Sequence, residues 1–324
     1  MIEKKIPFVG LHAHSVAGSI FDAIGYPNEH MDFCYENGGE ALALTDHGNM
    51  NGFSHQFLHW QKMKSEGKEF KPIFGVEAYF LPSIDEWRDD YERIKEDKKL
   101  AKSLAKQGDT SGATVEDEEA SKKAIKSVVN RRRHLVLLAQ NQTGLNNLFK
   151  LISASYREEN FYRYPRVDYK MLAEHSEGVI AASACLGGPY AGNYWEHREE
   201  GPEAVREAMR ETTRNFVEVF GDRWYGELQW NNIPEQHELN QYIIEVCKEF
   251  DVTLISTADS HYPNREAWKD RELYKRLGWL GKGTPAWAED NTELPPGVEE
   301  IGYELYPKNG NQIWESYKEY SQNL

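Results

Sequence analysis

Two pairs of metal-ligand residue types, spaced two apart, occur in strand-like segments near opposite ends of the sequence. His12 and His14 flank the small Ala13, and Asp259 and His261 repeat that spacing. In an extended strand, residues i and i+2 point to the same face, so each pair presents two ligand groups to one side. Because imidazole and carboxylate groups bind zinc, manganese and iron, these pairs predict a metal site.

Four further candidate ligands lie within or just after other strand-like segments. His47 lies in TDHG, Glu77 in GVEAY, Cys185 just before two glycines, and Asp22 in the loop SIFDAIG. All four could reach the rim of a barrel at the carboxyl ends of its strands, where such sites gather. Together with the two pairs they could hold more than one ion. Two ions suit phosphodiester hydrolysis, because one activates water while the other stabilises charge on the phosphate and the leaving oxygen.

Other polar residues near these motifs have simpler interpretations. Asp46 is expected to cap the next helix or to orient a neighbouring histidine rather than to bind metal. His55 and His59 have the i, i+4 spacing of a zinc-binding helix, but no Glu follows His55, so surface or packing roles are favoured. The basic run at 131–133 could touch a DNA phosphate, although a charge run before a strand is more often only solvated.

The candidate ligands are distributed over a repeated alternation of strands and helices. Short β-rich runs alternate with amphipathic stretches as far as residue 262, which is typical of βα units around a parallel sheet. A parallel barrel is the economical arrangement of such units. The seven predicted strands are 8–15, 40–48, 71–81, 133–141, 178–185, 224–230 and 253–262.

One large domain is predicted over residues 1–265. Within it, residues 85–130 are highly charged with few apolar anchors, which indicates a mobile, partly helical insertion. After it, the pattern predicts a helix, a loop rich in Pro and Gly, a short strand near GYELYP and a last helix in NQIWESYKEY. Residues 266–324 are therefore interpreted as a small C-terminal appendage that closes the barrel.

Composition excludes several classes of protein. With 324 residues, 40% of them hydrophobic, the chain can bury one substantial core, and it has no apolar run near the roughly 20 residues of a membrane span. Three scattered cysteines do not make a disulfide framework, so a cytoplasmic location is expected. The net charge of −15, from 38 Lys and Arg against 53 Asp and Glu, means that any contact with DNA must be local. Neither a phosphate-binding glycine loop nor a G-x-S-x-G turn is present.

Seven motifs, in order along the chain, resemble the PHP (polymerase and histidinol phosphatase) domain. They are HAHS, TDHGNMNG, KPIFGVEAYF, HLVLLAQNQTGLNNLFKLIS, SEGVIAASACLGG, GELQWNNIPEQHELNQ and ADSHY. The resemblance covers most of residues 6–265 and is greatest to the N-terminal PHP domain of bacterial DNA polymerase III alpha subunits. It implies an α/β fold, a distorted (β/α)7 barrel, with up to three metal ions. These are usually zinc or manganese, with iron also possible.

The resemblance implies nine metal ligands. They are His12, His14, Asp22, His47, Glu77, His134, Cys185, Asp259 and His261. The residues expected to take part directly in catalysis are His12, His14, His47, Asp259 and His261. His134 enters only through the resemblance, and it stands at the beginning of its predicted strand rather than at the end.

The leading hypothesis is an enzyme. The resemblance implies phosphoesterase activity, acting as a 3′-to-5′ exonuclease on DNA 3′ ends in association with a replicative polymerase or another replisome subunit. The sequence stops near residue 324, before the polymerase body of such relatives, so no DNA polymerisation is expected from it alone.

Two alternatives stay open at the level of the sequence. One is a structural module that binds metals for stability and docks other replisome parts. The other is a small-molecule phosphatase like histidinol phosphatase. The residues of the motifs TDHGNMNG and ACLGG favour the polymerase branch of the PHP family.

Overall fold

The computed structural model describes residue 6 and residues 8–106, 127–279 and 304–321. The strands of the described chain are β1 Val9–Gly10, β2 Ala41–Leu44, β3 Lys71–Phe80, β4 Arg133–Ala139, β5 Phe161–Tyr162, β6 Tyr164–Val167, β7 Val179–Ala182, β8 Trp224–Gln229 and β9 Thr253–Thr257. Seven of them form a nearly closed, barrel-like sheet in the order β1, β2, β3, β4, β7, β8, β9. The predicted α/β barrel is confirmed, and each of these seven strands falls within a predicted one.

Helices surround this sheet. Their bounds are α1 Pro27–Glu36, α2 Phe53–Ser65, α3 Ile84–Lys106, α4 Gln142–Ser155, α5 Tyr169–His175, α6 Pro189–His197, α7 Pro202–Phe220, α8 Pro234–Glu249, α9 Trp268–Trp279 and α10 Gly310–Tyr320. Several begin where the sequence supplies a cap. The side chains of Asn141 and Asp168 accept hydrogen bonds from the free backbone N–H groups at the starts of α4 and α5. Among the described residues, none of the helices has the length and apolar character that a membrane span requires.

Strand β4 departs from the predicted parallel arrangement. It pairs antiparallel with both of its neighbours, β3 and β7, whereas β1–β2, β2–β3, β7–β8 and β8–β9 are parallel. The beginning of β4 therefore lies at the same end of the barrel as the carboxyl ends of the other strands. This places His134, the second residue of β4, beside the other candidate ligands.

The barrel closes through the segments that carry the two ligand pairs. Ala13 and Ser260 form an isolated parallel bridge. The N–H of His14 donates to the carbonyl of Ser260 at 2.7 Å, and the N–H of Ser260 donates to the carbonyl of His12 at 3.1 Å. Regular strand ends earlier on both sides, at Gly10 and Thr257, so these two hydrogen bonds fix the pairs against each other.

A short hairpin that the sequence did not predict covers one side of the barrel. Strands β5 and β6 pair with each other, and β6 also pairs parallel with β3. Its anchor is Arg166, which is fully buried 4.0 Å above the Trp87 ring and donates to the backbone carbonyls of Tyr162, Tyr164 and Val129. A buried guanidinium satisfied by carbonyl groups fixes the hairpin against the segment that leads into β4.

The hydrophobic core lies in two layers. Small and branched side chains fill the barrel interior, including Ala43, Val136 and Ala182. Larger side chains pack between the sheet and its helices, where the rings of Phe216 and Trp224 stack at 4.2 Å. Small residues inside the barrel leave space at its end for polar side chains.

The segments outside the barrel agree only partly with the sequence-based predictions. Residues 85–106 of the charged stretch belong to helix α3, which buried Ile84 and Trp87 anchor, while 107–126 lie outside the described residues. The strand predicted near GYELYP is not formed over 304–307, the described part of that motif. There, Leu305 instead accepts a hydrogen bond from the N–H of His261 at 2.7 Å. The domain boundary at 265 stays a prediction.

Candidate metal centre

All nine candidate ligands lie in one cluster at the end of the barrel. Its centre is Glu77, which is fully buried in β3. One carboxylate oxygen lies 3.3 Å from Nε2 of His12, and the other lies 3.7 Å from Nε2 of His14. Oδ1 of Asp259 lies 3.2 Å and 3.1 Å from the same two nitrogens. The two predicted pairs therefore meet, because both turn their functional groups to one point.

Hydrogen bonds on the far sides of the rings orient His12 and His14. Nδ1 of His12 lies 2.7 Å from Oε1 of buried Glu227, and Nδ1 of His14 lies 3.2 Å from the Ser19 hydroxyl, which itself donates to Asp46. A carboxylate accepts only, and the Ser19 proton is already committed, so both Nδ1 atoms carry hydrogen. Their Nε2 atoms are then left to face the cluster, as in metal-binding histidines held by an outer carboxylate.

Asp22 and His47 form the solvent-facing side of the cluster, and the buried His261 lies next to them. Oδ2 of Asp22 lies 2.9 Å from Nε2 of His47 and 3.3 Å from Nε2 of His261. Arg271, in the predicted appendage, donates to Oδ1 and to the carbonyl of Asp22, both at 2.7 Å. The loop residue is thereby held with one oxygen toward the histidines. The Asp22 side chain is 35% exposed, so this side is open to solvent.

Two more candidate ligands approach Glu77 from the opposite edge. Nδ1 of His134 lies 3.1 Å from Oε1 of Glu77, and Sγ of Cys185 lies 3.6 Å from the same histidine nitrogen. Sγ of Cys185 also accepts the N–H of Gly187 at 3.4 Å. Gly187 passes so close to His134 that an added Cβ would lie 3.2 Å from the imidazole. The Gly-Gly sequence after Cys185 thus allows the chain to turn tightly around this ligand.

Backbone strain accumulates beside the ligands. Asp259 has a positive φ of 47°, and Phe21 and Ala184, which precede Asp22 and Cys185, have φ of 63° and 58°. Residues other than glycine seldom adopt this region, and such strain persists only where surrounding structure enforces it. The Asp259 pair therefore differs from the extended pair predicted from sequence: a left-handed turn, rather than strand alternation, presents its carboxylate.

The charges of the cluster compensate one another. Burial lowers the pKa of His12, but the charges of Asp259 and Glu227 outweigh burial and hold this pKa well above its ordinary value. Burial and the neighbouring His47 and His261 hold the pKa of His14 well below its ordinary value. Burial raises the pKa of Glu77, yet His134 and His47 bring it well below the usual range. Such opposed shifts within one cavity are characteristic of functional sites.

The cluster fits divalent cations. Three overlapping groups have ligand atoms within 4.8 Å of one another, namely His14 with His47 and His261, His12 with His14 and Glu77, and His47 with Glu77 and His134. Both carboxylate oxygens of Glu77, Oδ1 of Asp259 and Nδ1 of His47 are buried and make no hydrogen bond of good geometry among the described residues. Buried acceptors are rarely left unsatisfied, so these atoms indicate the positions that cations would occupy.

Sequence reasoning missed two residues that support the cluster. Glu227 and Arg271 contact His12 and Asp22, which lie 215 and 249 residues away along the chain. The only signal for Glu227 was its position inside the motif GELQW, and Arg271 had none. His59, by contrast, contacts Asp32 at 2.8 Å outside the cluster, in agreement with the packing or surface role expected for it.

The fold and the cluster define an α/β barrel whose histidine and glutamate groups fit divalent metal binding. The chain belongs to the PHP domain family, whose sequence model matches residues 10–231. The resemblance seen in the motifs is thereby confirmed.

Comparison with known proteins relates the chain to polymerase subunits. It is 36% identical over 259 residues, 80% of its length, to the DNA polymerase III subunit alpha of Aquifex aeolicus, and 33% identical over 317 residues, 98% of its length, to that of Borreliella burgdorferi. It spans only 18% and 23% of these relatives. A crystal structure of a metal-dependent phosphoesterase from Bifidobacterium adolescentis overlaps with a TM-score of 0.38 and 13% identity, over 78% of this chain and 87% of that one.

Proposed function

We propose that the chain is a metal-dependent phosphoesterase that hydrolyses the terminal phosphodiester at a DNA 3′ end, in association with a replicative polymerase. The observation that carries this proposal is the convergence of three groups of candidate ligands. His14, His47 and Glu77 each belong to two of these groups. Adjacent ions bound by shared ligands suit phosphodiester hydrolysis better than a single ion does. Similarity to DNA polymerase III subunit alpha supports DNA as the substrate.

The nine candidate ligands are the residues that would hold up to three zinc or manganese ions. Such ions, when bound, supply Lewis acidity and lower the pKa of water. The buried His12, His14 and Glu77 would fix the ions, with Glu227 holding the His12 ring in place. Asp22 and His47, on the open side, border the space that a substrate would enter. His12, His14, His47, Asp259 and His261 remain the proposed catalytic group.

Hydrolysis of labelled DNA tests the proposal directly. The full chain, loaded with manganese or zinc, is expected to shorten a 5′-labelled single strand from its 3′ end, and EDTA is expected to stop the reaction. Asp259→Asn keeps the size of the side chain and the tolerance for positive φ but removes the charge, so it is expected to abolish cleavage. His59→Ala serves as the control, because His59 lies outside the cluster. Full activity in Asp259→Asn would contradict the proposal.

A non-catalytic role is the second candidate, and one observation favours it. The chain corresponds to about a fifth of the polymerase subunits that it resembles, so in those proteins the matching region is one part of a longer polypeptide. A metal-stabilised module would bind ions without cleaving any phosphoester. Stoichiometric metal, combined with no hydrolysis of DNA or of phosphate monoesters, would favour this role. Cleavage of monoesters alone would instead indicate a small-molecule phosphatase.

A further inference from the structure

Arg132 differs from the arginines on either side of it. Arg131 pairs with Asp90 at 2.8 Å, and Arg133 pairs with Glu196. Arg132 forms no ion pair within the described part of the chain. Its one hydrogen bond among these residues goes to the carbonyl of Asn130 at 3.0 Å, and its buried Nε has no acceptor there. The middle arginine of the basic run is therefore the one whose charge the described residues leave uncompensated.

The guanidinium of Arg132 packs on two tyrosine rings, one of which also contacts proposed metal ligands. It lies 3.8 Å from the centre of the Tyr164 ring and 5.1 Å from that of Tyr79. The Tyr79 ring is stacked parallel to His47 at 6.1 Å and lies 5.7 Å from His134. Packing on two aromatic rings limits the motion of the side chain, so its donors are pre-organised next to Tyr79, the ring that contacts both His47 and His134.

The surroundings of Arg132 are unusually positive for so acidic a protein. Burial and the charge of Arg132 lower the pKa of Arg166 to about 10, and Arg166 also lies 5.9 Å from the Tyr164 ring. The adjacent side of the cluster is open, since His134 is 24% exposed. The donors of Arg166 are taken up by backbone carbonyls, so its charge only adds to the positive field around Arg132, and the remaining donors of Arg132 are those open to an anion in this protein of net charge −15.

We propose that Arg132 binds the phosphate next to the one that is hydrolysed, on its 5′ side in a polynucleotide. This inference rests on the proposed function and specifies its substrate as a chain with at least two phosphates. The bound ions would hold the reacting phosphate, so the remaining guanidinium donors of Arg132 are available for its neighbour. Arginine donors commonly hold phosphates and set the register of a nucleic acid.

Short thymidine oligonucleotides isolate this contact. The dinucleotide TpT has one phosphate and the trinucleotide TpTpT has two, so only the trinucleotide can reach Arg132 while its terminal linkage is cleaved. The manganese-loaded protein is expected to show a KM roughly tenfold lower for TpTpT, the effect of one charge-assisted hydrogen bond. In Arg132→Gln the two KM values are expected to be equal, with the KM for TpT and the metal content unchanged.

Variants of the two neighbouring arginines are the matched controls for Arg132→Gln. Arg131→Gln and Arg133→Gln remove equal charges from the neighbouring positions and are expected to keep the preference for TpTpT. Loss of the preference in all three variants, or its retention in Arg132→Gln, would overturn the assignment.

Failure of the proposed function is recognised separately. If the wild-type protein cleaves neither oligonucleotide, equilibrium binding of TpTpT to the manganese-loaded protein is compared instead. Affinity that is unchanged by Arg132→Gln overturns the Arg132 site, and affinity that falls only in this variant supports it.

Discussion

The candidate metal cluster has two halves that are held in different ways. The inner half consists of His12, His14, Glu77, Asp259 and His261, and the rim consists of Asp22, His47, His134 and Cys185. The side chains of His12, His14 and Glu77 are fully buried, whereas those of Asp22 and His134 are 35% and 24% exposed. The inner half lies where the first and last strands close the barrel. Most of the rim residues lie in loops or at the end of a strand.

We expect the two halves of the cluster to have different functions. Inner ligands are surrounded by barrel and by outer contacts such as Glu227, so they are pre-organised and are expected to determine how tightly ions bind. Rim ligands face solvent and are expected to determine what reaches the ions. Variants in the two halves should therefore fail in different ways, and the following predictions test that division.

The largest effect is expected from Glu77→Gln. Glu77 lies in contact with histidines of both halves, including His47 at 2.5 Å, so removal of its charge disrupts both at once. Metal content and DNA cleavage should both fall by more than the roughly 10- to 100-fold that loss of an outer partner causes. Elemental analysis and the cleavage assay measure this. Normal metal content in a folded Glu77→Gln protein would show that the halves do not share this ligand.

A smaller effect is expected from Glu227→Gln. The amide keeps the shape but loses the negative charge, and one of its two ends donates instead of accepting, so it holds the Nδ1 proton and the tautomer of His12 less firmly. Metal affinity should fall by roughly 10- to 100-fold. Competition with a chelator measures the affinity, and Glu245→Gln, an exposed partner of Arg206, is the control. An unchanged affinity would mean that the inner half does not depend on its outer carboxylate.

A rim variant is expected to separate activity from metal binding. His134→Ala removes one partly exposed ligand at the beginning of β4 and should change the unfolding free energy by only about 0.5 kcal/mol. Cleavage is expected to fall by roughly 100-fold, the low end of what loss of one positioned group costs, while the ions held by the inner half remain. Elemental analysis that shows complete loss of metal would contradict the division into halves.

The smallest effect at neutral pH is expected from His30→Gln. Burial lowers the pKa of His30 from 6.5 to about 4, and its Nε2 lies 2.9 Å from the carbonyl of Ile24, in the loop that carries Asp22. Since the unfolded state binds more protons between pH 4 and 6.5, His30 costs stability as the pH falls through that range.

Denaturant unfolding measures this pH dependence. The wild-type protein should lose about 1–3 kcal/mol between pH 6.5 and 4 that the Gln variant retains. Cleavage at neutral pH should be unchanged in the variant. Identical pH profiles would exclude His30 as the cause.

The two halves also differed in how far the sequence predicted them. Strand alternation predicted that His12 and His14 act together, because side chains at i and i+2 of a strand lie on the same face. The approach of Cys185 and Asp22 depends on left-handed residues that precede them, which no periodicity reveals. His134 came from family resemblance alone, and its place became understandable only through the direction of β4, since an apolar run predicts a strand but not its orientation.

The bridge between Ala13 and Ser260 has a consequence for the order of events during synthesis. The first ligands leave the ribosome about 245 residues before the last ones do, since His12 and Asp259 are that far apart in the sequence. A nascent chain therefore contains seven of the nine candidate ligands before Asp259 and His261 are made, and the cluster is completed only when β9 docks. If the cluster binds ions as proposed, ion capture is expected to coincide with the docking of β9, so that free cations favour the finished barrel over its truncated precursors.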